Sequence, residues 1–188
     1  MLWFLLGCCG FLPLYLFDWN KIGPQIPVLN ACFPLGFLMI AAGTGGVLLA
    51  APAKPPALWL QVLFYALAAT ALALELYALF FALPFEKTYV SAQKGTLVSD
   101  GMYALCRHPG VLWFAALYLC LWLARGQGLM LWTALAYTAL DIVHVFVQDR
   151  FCFPKMLAGY EAYRQETPFL VPNGRSVRRA LRRREAQP

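Results

Sequence analysis

Arginine, histidine and proline stand together at the start of an apolar segment, as Arg107, His108 and Pro109. A guanidinium and an imidazole can bind an anion such as a carboxylate. A proline at the first position of a helix leaves the neighbouring backbone N–H groups free to do the same. The cluster therefore predicts an anion site at the N-terminal end of a helix, with His108 at the cap. Basic residues that merely anchor a membrane helix would have the same composition, and the sequence leaves both interpretations open.

A second polar group closes another apolar segment and contains Asp141, His144, Gln148 and Asp149. The spacing of the first three, i, i+3 and i+7, places them on one face of a helix. Ionisable groups within a membrane helix are candidates for function. His144 and Gln148 are also compatible with interfacial water at a helix end, whereas Asp141 lies deeper. Glu75 is a further acid in an apolar run, with no partner that the sequence assigns.

The elements that must position these residues are membrane helices. The chain of 188 residues is 61% hydrophobic and 13% charged, whereas a soluble domain is about a quarter charged. Five apolar runs approach the roughly 17–25 residues of a spanning helix: residues 1–17, 31–51, 58–83, 109–124 and 128–147. The first lacks a basic start and a cleavage site, so we expect it to be retained. The sequence thus predicts an all-α membrane protein with about five transmembrane helices.

The basic residues predict the orientation of these helices. With the C-terminus in the cytoplasm, 13 of the 15 lysines and arginines lie inside, and only Lys54 and Arg125 lie outside. The positive-inside rule then places the N-terminus outside. The net charge of +6 is concentrated in the tail, residues 173–188, which fits anionic lipid headgroups better than nucleic acid. No metal-ligand spacing is present among the six cysteines.

Three regions follow from this arrangement. Residues 1–84 form the first three helices, residues 85–172 carry the polar groups with helices four and five, and residues 173–188 form the basic tail. Within the middle region, a polar loop before residue 109 and a polar segment from residue 148 onward fall on the same side of the membrane. We expect these two segments to face each other and to form a pocket that opens to lipid.

Two stretches of this middle region resemble the isoprenylcysteine carboxyl methyltransferase family of integral-membrane, S-adenosylmethionine-dependent enzymes. Residues 97–109 read LVSDGMYALCRHP and match the family pattern L-V-x-x-G-x-Y-x-x-x-R-H-P. Residues 160–172 read YEAYRQETPFLVP and fit the second half of a later pattern that ends Y-x-x-Y-x-x-x-(T/V)-P. The resemblance covers residues 95–172 and implies that S-adenosyl-L-methionine binds between the two blocks.

The resemblance also implies which residues form the site. Tyr103 would offer an aromatic face to adenine, and Arg107 or His108 would donate to the methionine carboxylate. The implied catalytic residues are Arg107, His144 and Asp149. The implied cofactor-binding residues are Gly95, Thr96, Leu97, Val98, Tyr103, His108, Pro109, Gly110, Val111 and Gln148.

The chain departs from the family on the substrate side. Val111 stands where the family has tyrosine, His144 where it has a substrate-binding arginine, and Gln148 at the first of two acidic positions. Asp149 occupies the second and is expected to supply the missing charge. We therefore expect a methyltransferase for a lipidic or small hydrophobic acceptor, with an isoprenylcysteine-like carboxylate among the candidates. The alternative is a catalytically silent relative that binds S-adenosylmethionine. A third candidate is a sterol-reductase-like protein. Such proteins usually have about ten helices, twice the number expected here, so the size of the chain disfavours this candidate.

Overall fold

The structure, a computed structural model, describes residues 1–81 and 97–185, and the side chains only to residue 182. Within these ranges the chain is helical and contains no β-strand pairing that builds a sheet. The prediction of an all-α membrane protein is confirmed. The helices are α1 (Leu2–Cys9), α2 (Phe11–Ile22), α3 (Cys32–Ala50), α4 (Leu58–Leu76), α5 (Met102–Leu105), α6 (Pro109–Arg125), α7 (Gly128–Val147), α8 (Phe153–Met156), α9 (Tyr160–Glu166) and α10 (Gly174–Glu185).

Four helical segments of the described chain are long and apolar enough to cross a membrane. They are Leu2–Ile22, Pro27–Ala50, Leu58–Phe81 and Gly128–Met156. A fifth apolar helix, Pro109–Arg125, has 17 residues, which at about 1.5 Å per residue falls slightly short of a hydrocarbon core of roughly 30 Å. The arrangement is consistent with about five spans. Which end of the bundle faces the cytoplasm stays a prediction.

The first span is longer than the sequence predicted because its polar residues are satisfied inside the protein. The apolar run was expected to end at residue 17, yet α2 continues to Ile22. Asp18 and Asn20 are both buried. The side chain of Asn20 accepts a hydrogen bond from the backbone N–H of Ile26 at 2.7 Å and donates to its carbonyl at 3.0 Å. Asp18 binds the side chains of His144 in α7 and of Gln148 directly after it, so neither residue has to end the helix.

Small residues allow α1 and α3 to pack closely. A Cβ added at Gly43 would lie 2.7 Å from the backbone nitrogen of Gly7 and 2.7 Å from the carbonyl oxygen of Trp3. Tyr137 of α7 covers the same contact and donates its hydroxyl hydrogen to the carbonyl of Phe4 at 3.0 Å. Close contact through glycine is a usual way for helices to associate in lipid, where burial of apolar surface gives little driving force.

We expect Gly43→Ala to destabilise the helix bundle, because the new methyl group meets backbone atoms that cannot move aside. Overpacking of this kind costs about 1–3 kcal/mol. Gly45 on the same helix is the matched control, since a Cβ there meets nothing within 4 Å and alanine in a helix interior is favoured by about 0.5–1 kcal/mol. Thermal unfolding of the two variants in detergent checks this. A midpoint for Gly43→Ala equal to that of Gly45→Ala would contradict the proposed close contact.

The two ends of the bundle differ in character. At one end, the backbone N–H of Lys54 donates to the carbonyl of Arg125 at 3.1 Å, and the Arg125 guanidinium donates to the carbonyl of Leu48 at 2.8 Å. These are the two basic residues that the sequence assigns to the outside. The opposite end carries α5, α8, α9 and the buried polar side chains that the sequence singled out.

Candidate functional site

A cavity of about 590 Å³ opens among α2, α3, α4, α6 and α7, at the end of the bundle that carries the polar side chains. Its volume lies within the roughly 300–1,000 Å³ that small-molecule sites occupy. Gly95 and Thr96 lie outside the described residues, and Asp149 is buried behind the cavity wall. The other predicted site residues all line the cavity: Leu97, Val98, Tyr103, Arg107, His108, Pro109, Gly110, Val111, His144 and Gln148.

Asp149 is the centre of a buried polar cluster. Its Oδ1 accepts hydrogen bonds from Arg107 Nε at 2.7 Å and from the Tyr160 hydroxyl at 2.6 Å. Its Oδ2 accepts from Arg107 Nη2 at 3.1 Å, so the arginine binds both oxygens. The side chains of Arg107 and Asp149 are only 9% and 6% exposed. Burial, together with the bond to Asp149, raises the pKa of Tyr160, so its hydroxyl stays protonated and donates.

Arg107 also joins the loop before α6 to the segment that follows α9. Its Nη1 donates to the carbonyl oxygens of Arg164 at 2.9 Å and Thr167 at 2.6 Å, and its backbone N–H donates to the carbonyl of Pro168 at 2.9 Å. The two blocks that carry the family resemblance are therefore one physical unit. With its donors used in this way, Arg107 positions the backbone around the cavity. The catalytic roles predicted for Arg107 and Asp149 stay predictions.

His108 caps α6 and is packed on both faces. Its ring lies 5.8 Å from Phe153 in a stacked arrangement and 5.0 Å from Phe169 edge-on. Its Nε2 lies 3.2 Å from Asp149 Oδ1. Because a carboxylate only accepts hydrogen bonds, Nε2 carries the hydrogen. Burial lowers the pKa of His108, so the ring is neutral at physiological pH. An anion at this helix start would thus bind backbone N–H groups rather than an imidazolium.

The lowered pKa of His108 gives an expected pH dependence. Its unfolded pKa is about 6.5, so below that pH the unfolded chain takes up the proton first. The stability contributed by His108 is complete above about pH 6.5 and is lost as the pH falls. The groups that face the ring are Asp149, Arg107 and His144. Unfolding midpoints between pH 7.5 and 5 should decline less steeply in His108→Gln than in the unchanged protein. Identical slopes would contradict a buried, neutral His108.

A second buried cluster joins α2 to the end of α7. Oδ2 of Asp18 accepts from His144 Nε2 at 2.8 Å and from the Gln148 amide at 2.9 Å. His144 and Gln148 thus share one helix face, as their spacing predicted. The acid that contacts Gln148 is Asp18, whereas Asp149 points to Arg107. Sequence reasoning missed Asp18, which it placed at a helix end. An acid beside an apolar run was the signal that could have identified it.

Two further carboxyl groups line the cavity without a hydrogen-bond partner among residues 1–81 and 97–185. Oε2 of Glu75 on α4 is fully buried and unpaired within that part of the chain. A Cβ added at Gly110 would lie 3.1 Å from this oxygen, so the carboxyl group of Glu75 lies against the first turn of α6. Asp141 on α7 also lines the cavity. The sequence singled out both acids but did not bring them to one site.

Tyr103, in α5, is hydrogen-bonded to the end of α4 and to α9. Its hydroxyl donates to the carbonyl of Ala78 at 3.0 Å, within the π-helical turn Tyr77–Phe81 that extends α4. Its own carbonyl accepts a hydrogen bond from the Tyr163 hydroxyl at 2.7 Å. The ring is thus fixed at the cavity wall from both sides.

No protein-family description, curated protein or solved structure matches the chain.

Proposed function

We propose that this chain is an integral-membrane methyltransferase that transfers a methyl group from S-adenosyl-L-methionine to a lipidic or small hydrophobic acceptor. The proposal rests on one observation: the two stretches that resemble the methyltransferase family, residues 97–109 and 160–172, meet at the cavity. Leu97, Val98, Tyr103 and residues 107–111 line it, and Arg107 ties them to the segment that begins at α9. The cavity lies within a bundle of membrane-spanning helices, where a hydrophobic acceptor is accessible.

The cavity residues fit the cofactor in size and chemistry. The ring of Tyr103 is held in place for stacking, and the backbone at the start of α6, around Gly110 and Val111, offers N–H groups to acceptor atoms of the cofactor. Gln148 and His144 fix the carboxylate of Asp18 by donating hydrogen bonds to it. This carboxylate could accept a further hydrogen bond from the amine or a ribose hydroxyl of the cofactor. When bound, S-adenosyl-L-methionine supplies an electrophilic methyl group. The protein must then position an acceptor in line with that group and exclude water from it.

The alternative is a silent protein that binds the cofactor without transferring its methyl group. One observation favours it: His144 and Gln148, which stand at family positions for charged residues, both bind Asp18, so their polar atoms are engaged by an acid of the protein rather than by an acceptor. The two proposals differ in turnover and agree in binding, so binding is the first test of either.

That test is calorimetric titration of S-adenosylhomocysteine into the detergent-solubilised protein. We expect saturable binding that S-adenosyl-L-methionine displaces and that adenosine alone reproduces only weakly. Heats equal to those of buffer dilution would contradict both proposals.

Tyr103 allows the aromatic contact to be tested separately. Tyr103→Ala removes the ring and should weaken S-adenosylhomocysteine binding by about 1–3 kcal/mol, roughly 5- to 150-fold. Tyr103→Phe keeps the ring and removes only the hydrogen bond to Ala78, so it should bind within a few-fold of the unchanged protein. Equal affinities for the alanine and phenylalanine variants would show that the ring does not contact the cofactor.

A further inference from the structure

The cavity combines acids that have no hydrogen-bond partner among the described residues with an apolar, aromatic wall. Glu75 of α4 and Asp141 of α7 both line this cavity. An unpaired carboxylate out of water is costly unless a cation or a proton compensates it. The fully buried Oε2 of Glu75 has no such partner among the described residues. The cavity is therefore matched to a ligand that brings a positive charge or a hydrogen-bond donor.

Among the described residues, no lysine or arginine of the cavity wall forms an ion pair with Glu75 or Asp141. Arg107 is paired with Asp149, and Lys21 lies over the ring of Phe17, 5.4 Å from its centroid. Lys155 also lines the cavity and makes no ion pair with the described residues. A carboxylate acceptor placed beside Glu75 and Asp141 would meet like charge. An ammonium group placed there would meet opposite charge.

The aromatic side chains of the wall fit the same ligand class. Phe11, Phe33 and Phe114 line the cavity with the two acids, and the rings of Phe11 and Phe114 pack edge to face, with centroids 6.5 Å apart. Aromatic faces attract ammonium groups and continue to do so after methylation, when hydrogen-bond donors are lost. The same wall suits the hydrocarbon part of a lipophilic molecule.

We propose that the methyl acceptor is the amine of a lipophilic molecule, which Glu75 and Asp141 bind as an ammonium and deprotonate. This inference rests on the proposed methyltransferase function and specifies its substrate class. A carboxylate acceptor, the class suggested by the family resemblance, is the alternative that the experiment must distinguish.

The reaction balances with these groups. The ammonium has no lone pair, so one proton first moves to a carboxylate of Glu75 or Asp141. The nitrogen lone pair then forms a bond to the methyl carbon while the carbon–sulfur bond breaks, and its electrons remain on sulfur as neutral S-adenosylhomocysteine. The product is a methylammonium ion, and the carboxyl group returns its proton to water at the cavity mouth. One amine and one S-adenosyl-L-methionine thus give one N-methylated amine, one S-adenosylhomocysteine and one proton.

The decisive experiment supplies two acceptors that differ only in the head group. Proteoliposomes of the full chain receive methyl-labelled S-adenosyl-L-methionine with either oleylamine or oleic acid. We expect label in the amine at a rate at least tenfold above that in the acid, and in a form stable to mild alkali. Preferential labelling of oleic acid as an alkali-labile ester would overturn the amine assignment. Labelling of neither acceptor, with S-adenosylhomocysteine still bound, would overturn it as well.

Variants test whether the two acids perform this role. Glu75→Gln and Asp141→Asn keep size and shape, and each should reduce transfer to oleylamine at least tenfold while S-adenosylhomocysteine affinity stays within about twofold. Glu161→Gln, an exposed acid on α9, is the matched control and should leave both values unchanged. Full transfer in both cavity variants would overturn the inference. Parallel loss of S-adenosylhomocysteine binding would assign the acids to the cofactor instead. Failure of the unchanged protein to bind S-adenosylhomocysteine would reject the methyltransferase proposal itself.

Discussion

Replacing Asp149 with asparagine is expected to lower the free energy of unfolding by about 3–5 kcal/mol, because it leaves a buried guanidinium without its counter-charge. Arg107 binds both carboxylate oxygens of Asp149, and both side chains are buried. Asparagine keeps one of the two oxygens but places an amide N–H₂ group, itself a donor, opposite an N–H donor of Arg107. Tyr160, which donates to the same oxygen as Arg107 Nε, would lose its partner or compete for it.

The control for this variant is Glu161→Gln, since the Glu161 side chain is 63% exposed and surface changes usually stay within about 0.5 kcal/mol. Unfolding in detergent should also show that Arg107→Ala and Asp149→Asn together cost less than the sum of the two single variants, because each removes the same interaction. Additive effects, or an Asp149→Asn midpoint equal to that of Glu161→Gln, would contradict the assignment of Asp149 to the polar cluster.

A leucine at position 110 is expected to weaken S-adenosylhomocysteine binding about 100-fold, or about 2.8 kcal/mol. Gly110 lines the cavity in the first turn of α6. Its hypothetical Cβ lies 3.1 Å from Glu75 Oε2, so a larger side chain must fill space next to the proposed cofactor position. The neighbouring atoms belong to the end of a side chain rather than to backbone, so the fold is expected to survive.

Gly128→Leu is the matched control, because a Cβ at Gly128 meets nothing within 4 Å and this residue begins α7 at the other end of the bundle. Both variants should unfold at similar temperatures, while only Gly110→Leu loses affinity. Equal affinity of the two variants for S-adenosylhomocysteine would show that the cofactor does not bind next to the start of α6. Gly110→Ala should lie between Gly110→Leu and the unchanged protein.

Much of the fold follows from the sequence because lipid leaves few alternatives. A long apolar run must satisfy its backbone internally, so its length and position predict a helix. The predicted start of α6 at Pro109 and the predicted bounds of α7 agree with the structure. The end of α2 was predicted five residues early, because the apolar run stops before Asp18 and the partners of this buried acid lie elsewhere in the chain.

The sequence predicted which residues form the candidate site better than it predicted the contacts between them. The resemblance selected Arg107, His108 and Asp149, and these residues meet in the structure. Spacing along a helix indicates only a shared face, so it could not pair His144 with Asp18, which lies 126 residues away. The partner of a charged side chain is set by tertiary packing. For the same reason the sequence identified Glu75 and Asp141 as unusual without showing that they line one cavity.

The methyltransferase proposal is tested most directly by label transfer in membranes. Membranes that contain the protein, matched membranes without it and membranes with Gly110→Leu are incubated with methyl-labelled S-adenosyl-L-methionine, and radioactivity in the organic extract is followed over time. We expect extractable label to accumulate with the unchanged protein and to remain near background in the other two. Extractable label that does not exceed that of membranes lacking the protein would contradict methyl transfer and leave, at most, a protein that binds the cofactor.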